Sequence, residues 1–228
     1  YVALTALAIL VLSIFGWTGL YPAMDVYQAA AHAFTTVALG GFSTQAGSLS
    51  FFSGATQWAV IAFVALAGIS FLRLYQAVLQ RRPGIVGRDQ EIRLYLVLLV
   101  IGSVLLFAEL VGSGIESGEE AVRHAVFQAT SIMTTAGFAS ADYTRWGSLA
   151  TLTLLALMFI GASAGSTGGS IKVVRHLLMG KLLKRELEQV VHREAVIPIR
   201  LSGSTVDERM LRSVAGFIVI YVVILALG

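Results

Sequence analysis

Apolar positions in this chain fall in long runs rather than in the alternation of a half-buried strand or the stripe of a surface helix. The runs cover residues 2–20, 56–79, 94–111, about 149–178 and 211–227. Each approaches the roughly 20 residues that a helix needs to cross a bilayer. The first is too long for a signal peptide and lacks a basic leading region. The fourth is interrupted by Gly161, Ala162, Ser163, Ala164, Gly165, Ser166, Thr167, Gly168, Gly169 and Ser170, a small and polar run that disfavours a continuous helix. Two further apolar stretches, 26–38 and 120–133, are too short to span. Each leads into a small-residue segment, Leu39-Gly40-Gly41-Phe42-Ser43-Thr44 and Thr135-Ala136-Gly137-Phe138-Ala139-Ser140. A short helix followed by a glycine turn, with full spans on either side, predicts a re-entrant hairpin. The expected fold is an all-α membrane protein made of membrane helix, re-entrant half-helix and membrane helix.

That unit occurs twice. Superimposing Gly41 on Gly137 sets an offset of 96 residues, which places Thr35 on Ser131, Thr44 on Ser140 and span on span. The domain division expected is a pore repeat over 1–80, a linker over 81–92 and a second pore repeat over 93–180. An amphipathic segment over 181–207 and the first span of a further repeat over 208–228 follow. The chain starts at Tyr1 and ends in an apolar run, which reads as a piece of a longer membrane protein.

Composition supports the membrane and charge supplies the sidedness. The 228 residues are 57% hydrophobic and only 13% charged, with a mean hydropathy of +0.81, against about 25% charged in soluble domains. The formal net charge of +3 is too small to argue for nucleic acid. Cysteine is absent, which excludes disulfides and thiolate metal sites. Basic residues concentrate in two connections. Arg73, Arg81, Arg82, Arg88 and Arg93 lie in the first, and Lys172, Arg175, Lys181, Lys184, Arg185, Arg193, Arg200, Arg209 and Arg212 in and around the second. The other connections hold only Arg123 and Arg145, so the basic ones are assigned to the cytoplasm. Asp25, Glu116, Glu119, Glu120 and Asp142 then lie outside, where they would concentrate cations. Arg73 is expected to snorkel to the interface, and Glu109 to sit as a carboxylate at the outer interface.

The turns suggest a chemistry. A half-helix ending inside the membrane aims its partial negative charge at what lies there, and irregular backbone at that depth must line protein or water. The carbonyls of Leu39, Gly40 and Gly41, and of Thr135, Ala136 and Gly137, can replace water around an ion. Gly41 and Gly137 supply the φ freedom this needs. Phe42 and Phe138 are expected to pack behind these strands and set their width. Neither turn carries a carboxylate, so a dehydrated monovalent cation fits better than a divalent one. His32 and His124 read as polar contacts beside the half-helices. The 161–170 segment, on the cytoplasmic side of the turns, is expected to be a movable barrier. Lys172 and Arg175 share one helical face just beyond it, as interface anchors or as donors to the loop carbonyls. Leu183, Leu187, Val190 and Val191 form an apolar stripe on an amphipathic cytoplasmic helix that lies on lipid or docks a partner.

The motifs 32–44, 134–138 and 165–173, in this order, resemble the Trk/Ktr/HKT superfamily of potassium transporters, nearest its bacterial TrkH type. The resemblance runs over essentially the whole chain. It implies a potassium-channel-like pore of four repeats, of which the second, the third and the start of the fourth are represented here. It also implies filter glycines at Gly41 and Gly137, an intramembrane gate loop at 162–170, K+ as the transported ion and no organic cofactor. A homodimer in the bacterial inner membrane is implied, regulated by a cytoplasmic nucleotide-binding ring. Ala136 departs from the pattern, since threonine is common there; its carbonyl stays but a hydroxyl is lost.

Two enzymatic patterns compete in the same segment. Gly161-Ala-Ser-Ala-Gly165 matches a nucleophile elbow, with Ser163 as an intramembrane serine nucleophile and His176 downstream, but the elbow requires a strand–turn–helix setting. Gly165-Ser-Thr-Gly-Gly169 lacks the Lys-Ser/Thr that completes a phosphate loop.

Overall fold

The computed structural model describes residues 1–19, 24–81, 84–192 and 197–227. Leu20, which closes the first expected span, and the basic residues Arg82 and Arg193 lie outside the described residues.

The first unit runs α1 (Val2–Trp17), α2 (Val26–Val37), α3 (Gly54–Ala67) and α4 (Phe71–Val78), with α5 (Gly84–Arg88) as connector. The second runs α6 (Gln90–Gly112), α7 (Gly118–Met133), a single 3-10 turn (Tyr143–Arg145), α8 (Ser148–Ile160) and α9 (Val173–Val191). A two-stranded hairpin, β1 (Arg200–Leu201) and β2 (Ser204–Thr205), then leads to α10 (Glu208–Leu227). Starts are fixed by short polar caps: Asp25 accepts from the Gln28 amide, Ser53 from Thr56, and Asp89 from Glu91 and Ile92. By length and composition, α6 and α10 can each cross a membrane, and α3 with α4 only as a bent pair. α1 and α8 are shorter apolar helices.

The half-helices are buried along small-residue stripes. Ala29, Ala33 and Val37 of α2 and Ala125, Ala129 and Met133 of α7 are all buried, and they correspond at the 96-residue offset. Small side chains let helices approach closely where lipid gives no hydrophobic drive. Gly102 of α6 does the same against Leu157 of α8, where an added Cβ would lie 2.8 Å from the leucine. The α2 stripe belongs to a core with Leu12, Val60 and Phe63, and the α7 stripe to a core with Tyr95, Leu106 and Leu110. Outward positions such as Val97, Val100 and Val104 of α6 and Val219, Val223 and Ile224 of α10 are exposed and apolar.

One sequence expectation is corrected. The run over 56–79 is not one helix: it breaks between α3 and α4 with a bend of 101°. Tyr95 and Thr134 press on Gly68, where a Cβ would come within 2.5 Å of the tyrosine hydroxyl, and Tyr95 donates to the freed Ala65 carbonyl at 3.1 Å. Arg73 Nε lies 2.9 Å from Asp89, whose side chain is buried at the start of α6 and so needs a cation. Leu183, Leu187, Val190 and Val191 are exposed on α9, whose inward face packs Leu178 on Ile199, Leu211 and Val214.

Candidate functional site

The two small-residue turns take the same backbone path. α2 ends with the Leu39 amide on the Thr36 carbonyl (3.2 Å) and Gly40 on Thr35 (2.8 Å). α7 ends with Thr135 on Ile132 (3.0 Å) and Ala136 on Ser131 (2.9 Å). This is the Schellman closure of a helix, which needs a left-handed residue just past the end. Leu39 (φ 54°) and Thr135 (φ 62°) occupy it although neither is glycine. The next left-handed positions are Gly41 (φ 68°) and Gly137 (φ 83°), with Gly40 and Ala136 of ordinary hand between them. Alternating hand along a strand turns successive peptides so that their carbonyls share a side, the arrangement an ion-lining strand requires. The strain at Leu39 and Thr135, about 1–2 kcal/mol each, is a mark of a functional segment.

The turns meet. A Cβ added to Gly41 would fall 2.0 Å from the Ala136 carbonyl oxygen and 3.0 Å from the carbonyl carbon of Gly137. Further out, the Leu49 amide donates to the Ala139 carbonyl (2.9 Å) and the Ala139 amide to the Ser48 hydroxyl (3.1 Å). Each turn has its own support. The Gln28 carbonyl lies 2.8 Å from His32 Nδ1, which leaves Nε2 to accept from the Ser43 hydroxyl at 2.9 Å. Ser131 donates to the Phe138 carbonyl at 2.7 Å. Phe138 is 1% exposed, whereas Phe42 is 78% exposed and no described residue of this chain covers it.

All five outer acids named above serve as structural partners, Glu120 through Arg123 at 3.9 Å. Asp25 caps α2, and Asp142 caps the 3-10 turn and pairs with Arg145. Glu116 accepts from His124 at 2.8 Å. Glu119 accepts from Trp58 (2.8 Å) and from Arg123 (3.0 Å), hydrogen bonds that hold its carboxyl below the usual range. It therefore stays charged at neutral pH, and the clamp is lost only on acidification. Arg123 is buried and also donates to Gln57 Oε1, tying α7 to α3. Arg123→Ala leaves that buried oxygen unpaired, so the complete protein should lose about 1–3 kcal/mol of stability. Thermal melts in detergent should show a clear drop for Arg123→Ala and a smaller one for Glu119→Gln.

The interrupted helix forms an irregular loop, 161–172, between α8 and α9, and its freed backbone groups are widely partnered. The Ser163 amide donates to the Gly68 carbonyl (3.0 Å), and the Gly165 carbonyl accepts from the Phe71 amide (3.2 Å). The two helix breaks thus satisfy each other. The Ala164 amide donates to Glu91 Oε1. Lys172 Nζ donates to the Gly168 carbonyl and, at 3.3 Å, to the Ser166 carbonyl. Of its two expected roles, the lysine therefore shows the loop-holding contacts. Arg175 donates to the Ile171 carbonyl, at the end of the same loop, at 2.7 Å and stacks over Phe217 at 4.1 Å. Ser170 donates to the Met158 and Phe159 carbonyls at 2.8 Å, closing the end of α8.

The loop tip is seated on the ends of both half-helices. Thr167 donates to the Val37 carbonyl at 3.2 Å, and the Gly169 amide to the Thr135 hydroxyl at 2.7 Å. Gly168 approaches so closely that a Cβ would lie 2.6 Å from the Thr134 carbonyl oxygen. Glu91, Gly68 and the Thr135 hydroxyl were not singled out in the sequence. Glu91 carried one signal, a carboxylate in the first turn of an apolar span. Ser163 Oγ is buried without a hydrogen-bond partner, and His176 bonds the Phe159 carbonyl at 3.3 Å. No elbow is assembled.

Paired half-helices that end inside an apolar helical frame, on meeting left-handed turns closed beneath by a loop, define a membrane protein of the pore-repeat class. The family model for the TrkH cation transport protein matches residues 1–228, and the chain belongs to that family, one of transport proteins and not of enzymes. It is 36% identical over 209 residues to the Trk system potassium uptake protein TrkH of Escherichia coli K12, covering 90% of this chain and 43% of the relative. It is 31% identical over 200 residues to TrkG of the same organism, covering 87% and 41%. The crystal structure of the potassium transporter TrkH from Vibrio parahaemolyticus superimposes with a TM-score of 0.89 at 31% identity, over 100% of this chain and 48% of that one. The chain thus spans less than half the length of these relatives.

Proposed function

We propose that the complete protein carries K+ inward across the bacterial cytoplasmic membrane. The carbonyls of Leu39, Gly40 and Gly41 and of Thr135, Ala136 and Gly137 supply part of its filter. The observation that carries this reading is the meeting of two left-handed turns at Gly41 and Ala136, each at the negative end of a half-helix. Ring closure falls to segments beyond this chain, since the relatives are more than twice as long. The 161–170 loop is the gate, because its tip sits on the inner ends of both half-helices where an ion leaving the filter must pass. The pore repeats are 1–80 and 93–180. Homodimerisation and a cytoplasmic nucleotide-binding regulator complete the proposal, resting on the resemblance alone.

An entering cation gains about 2.3 kcal/mol per 100 mV of membrane potential, which drives accumulation without a coupling ion. The test is rubidium uptake by the complete protein in a bacterium lacking its own potassium uptake. Uptake competed by K+ and not by Na+ is the expected result. Absence of uptake, or equal competition by Na+, overturns it.

A further inference from the structure

We infer that Glu91 is a positioning residue that pins the cytoplasmic leg of the 161–172 loop, so that one carboxylate–amide hydrogen bond holds the gate closed. The inference rests on the gate reading above and adds a residue to it.

Glu91 stands in the first turn of α6, at the start of a helix otherwise apolar for most of its length. Carboxylates in that turn ordinarily serve the helix end. Here that duty is taken by Asp89, which accepts from the amides of Glu91 and Ile92 and also pairs with Arg73. The Glu91 side chain is free for other use. Among the described residues its one hydrogen-bond partner is the Ala164 amide, 73 positions along the chain, and it is in no ion pair. That amide belongs to the broken helix and has no carbonyl of its own ladder to bond, so losing the carboxylate leaves it partly buried and unpaired.

The contact opposes a second one. Lys172 takes the Gly168 and Ser166 carbonyls while Glu91 takes the Ala164 amide. The loop is thus gripped at opposite backbone poles by side chains of opposite charge, one from α6 and one from the start of α9. A cavity of about 470 Å³ opens beside the held leg, bordered by Ala164, Gly165, Lys172 and Arg175, and gives it room to move on release. On the other side, a cavity of about 320 Å³ reaches Glu91 between Arg73, Asp89, Ser202 and Asp207. The preceding residue, Gln90, is tied to the cytoplasmic hairpin: its amide donates to Ser202 Oγ at 3.3 Å, and Lys181 bridges its side chain to the Arg200 carbonyl. A displacement of the hairpin therefore acts one residue away from the pin.

The experiment is a double-mutant cycle on the complete protein in potassium-uptake-deficient cells, read as rubidium influx without activation. It combines Glu91→Ala with deletion of 163–169. The carboxylate bond corresponds to about tenfold in the closed population, so Glu91→Ala should raise influx by about that factor. Deletion should raise it at least as much, and the double variant should match deletion alone. Ala164→Pro removes the donor instead of the acceptor, should reproduce Glu91→Ala, and replaces it if that variant fails to reach the membrane. Raised influx on deletion with no rise from either point variant overturns the pin and leaves the gate standing. An equal effect of Glu91→Ala with and without the loop also overturns the pin, since the residue would then act on the fold. No rise on deletion overturns the gate reading, and the pin with it.

Discussion

Gly41→Ala in the complete protein should abolish selective rubidium uptake, with a fall of roughly 30-fold or more, while Gly137→Ala should cost only about tenfold. Both residues have positive φ, and a side chain there costs about 1–2 kcal/mol. At Gly41 a second cost is added. The new methyl would lie 2.0 Å from the Ala136 carbonyl oxygen, a backbone atom that cannot rotate away. Relieving that overlap forces the two turns apart, at about 1–3 kcal/mol or more, and displaces a carbonyl proposed to touch the ion. At Gly137 no described atom lies within 4 Å of the added methyl. Influx measured beside K+/Na+ competition separates the cases. Equal losses would mean that the hand of the turns matters and their contact does not. Normal uptake by Gly41→Ala would refute the contact altogether.

Gly168→Val should have the opposite sign, raising resting influx about tenfold. Gly168 is not left-handed, so a side chain there meets no backbone penalty, only a lack of space. Its Cβ would stand 2.6 Å from the Thr134 carbonyl and 3.0 Å from Ala162, so valine wedges the tip from its seat on α7. Overpacking of this kind costs about 1–3 kcal/mol, all of it charged to the closed arrangement. Gly169→Ala next door is the control. Its new atom meets Thr135 no closer than 3.5 Å, an ordinary contact, and influx should stay near normal. Unchanged or lowered influx in Gly168→Val would show that the seated loop is not the barrier.

The parts of the site read from the sequence are those with local causes. The half-helix ends at Val37 and Met133 lie close to where the apolar stretches give way to small residues, because a helix end needs a left-handed residue and the turn must follow at once. The broken segment expected over 161–170 spans 161–172, extended by Ile171 and by Lys172 at φ 79°. The bend at Gly68 escaped because Gly68-Ile69-Ser70 is short and apolar enough to read through as helix. At the 96-residue offset it falls on Ala164–Ser166, so the repeat itself held the clue. Phe42 and Phe138 are identical in local sequence role, yet one is buried and the other exposed. Nothing near either residue distinguishes them; only the surrounding chain does.

By itself the sequence determined that this is a membrane protein, where its glycine turns fall and that they come as a pair. The bilayer enforces these locally, since every run of about 20 residues must satisfy its own backbone or break where protein can satisfy it. The tertiary structure alone decided that Gly41 rests on Ala136, that Arg73 neutralises Asp89, and that Glu91 and Lys172 take opposite poles of one loop. Those partners stand apart in sequence or across a helix break. Their meeting depends on how closely whole helices approach, a quantity set by packing and not by any single stretch of chain.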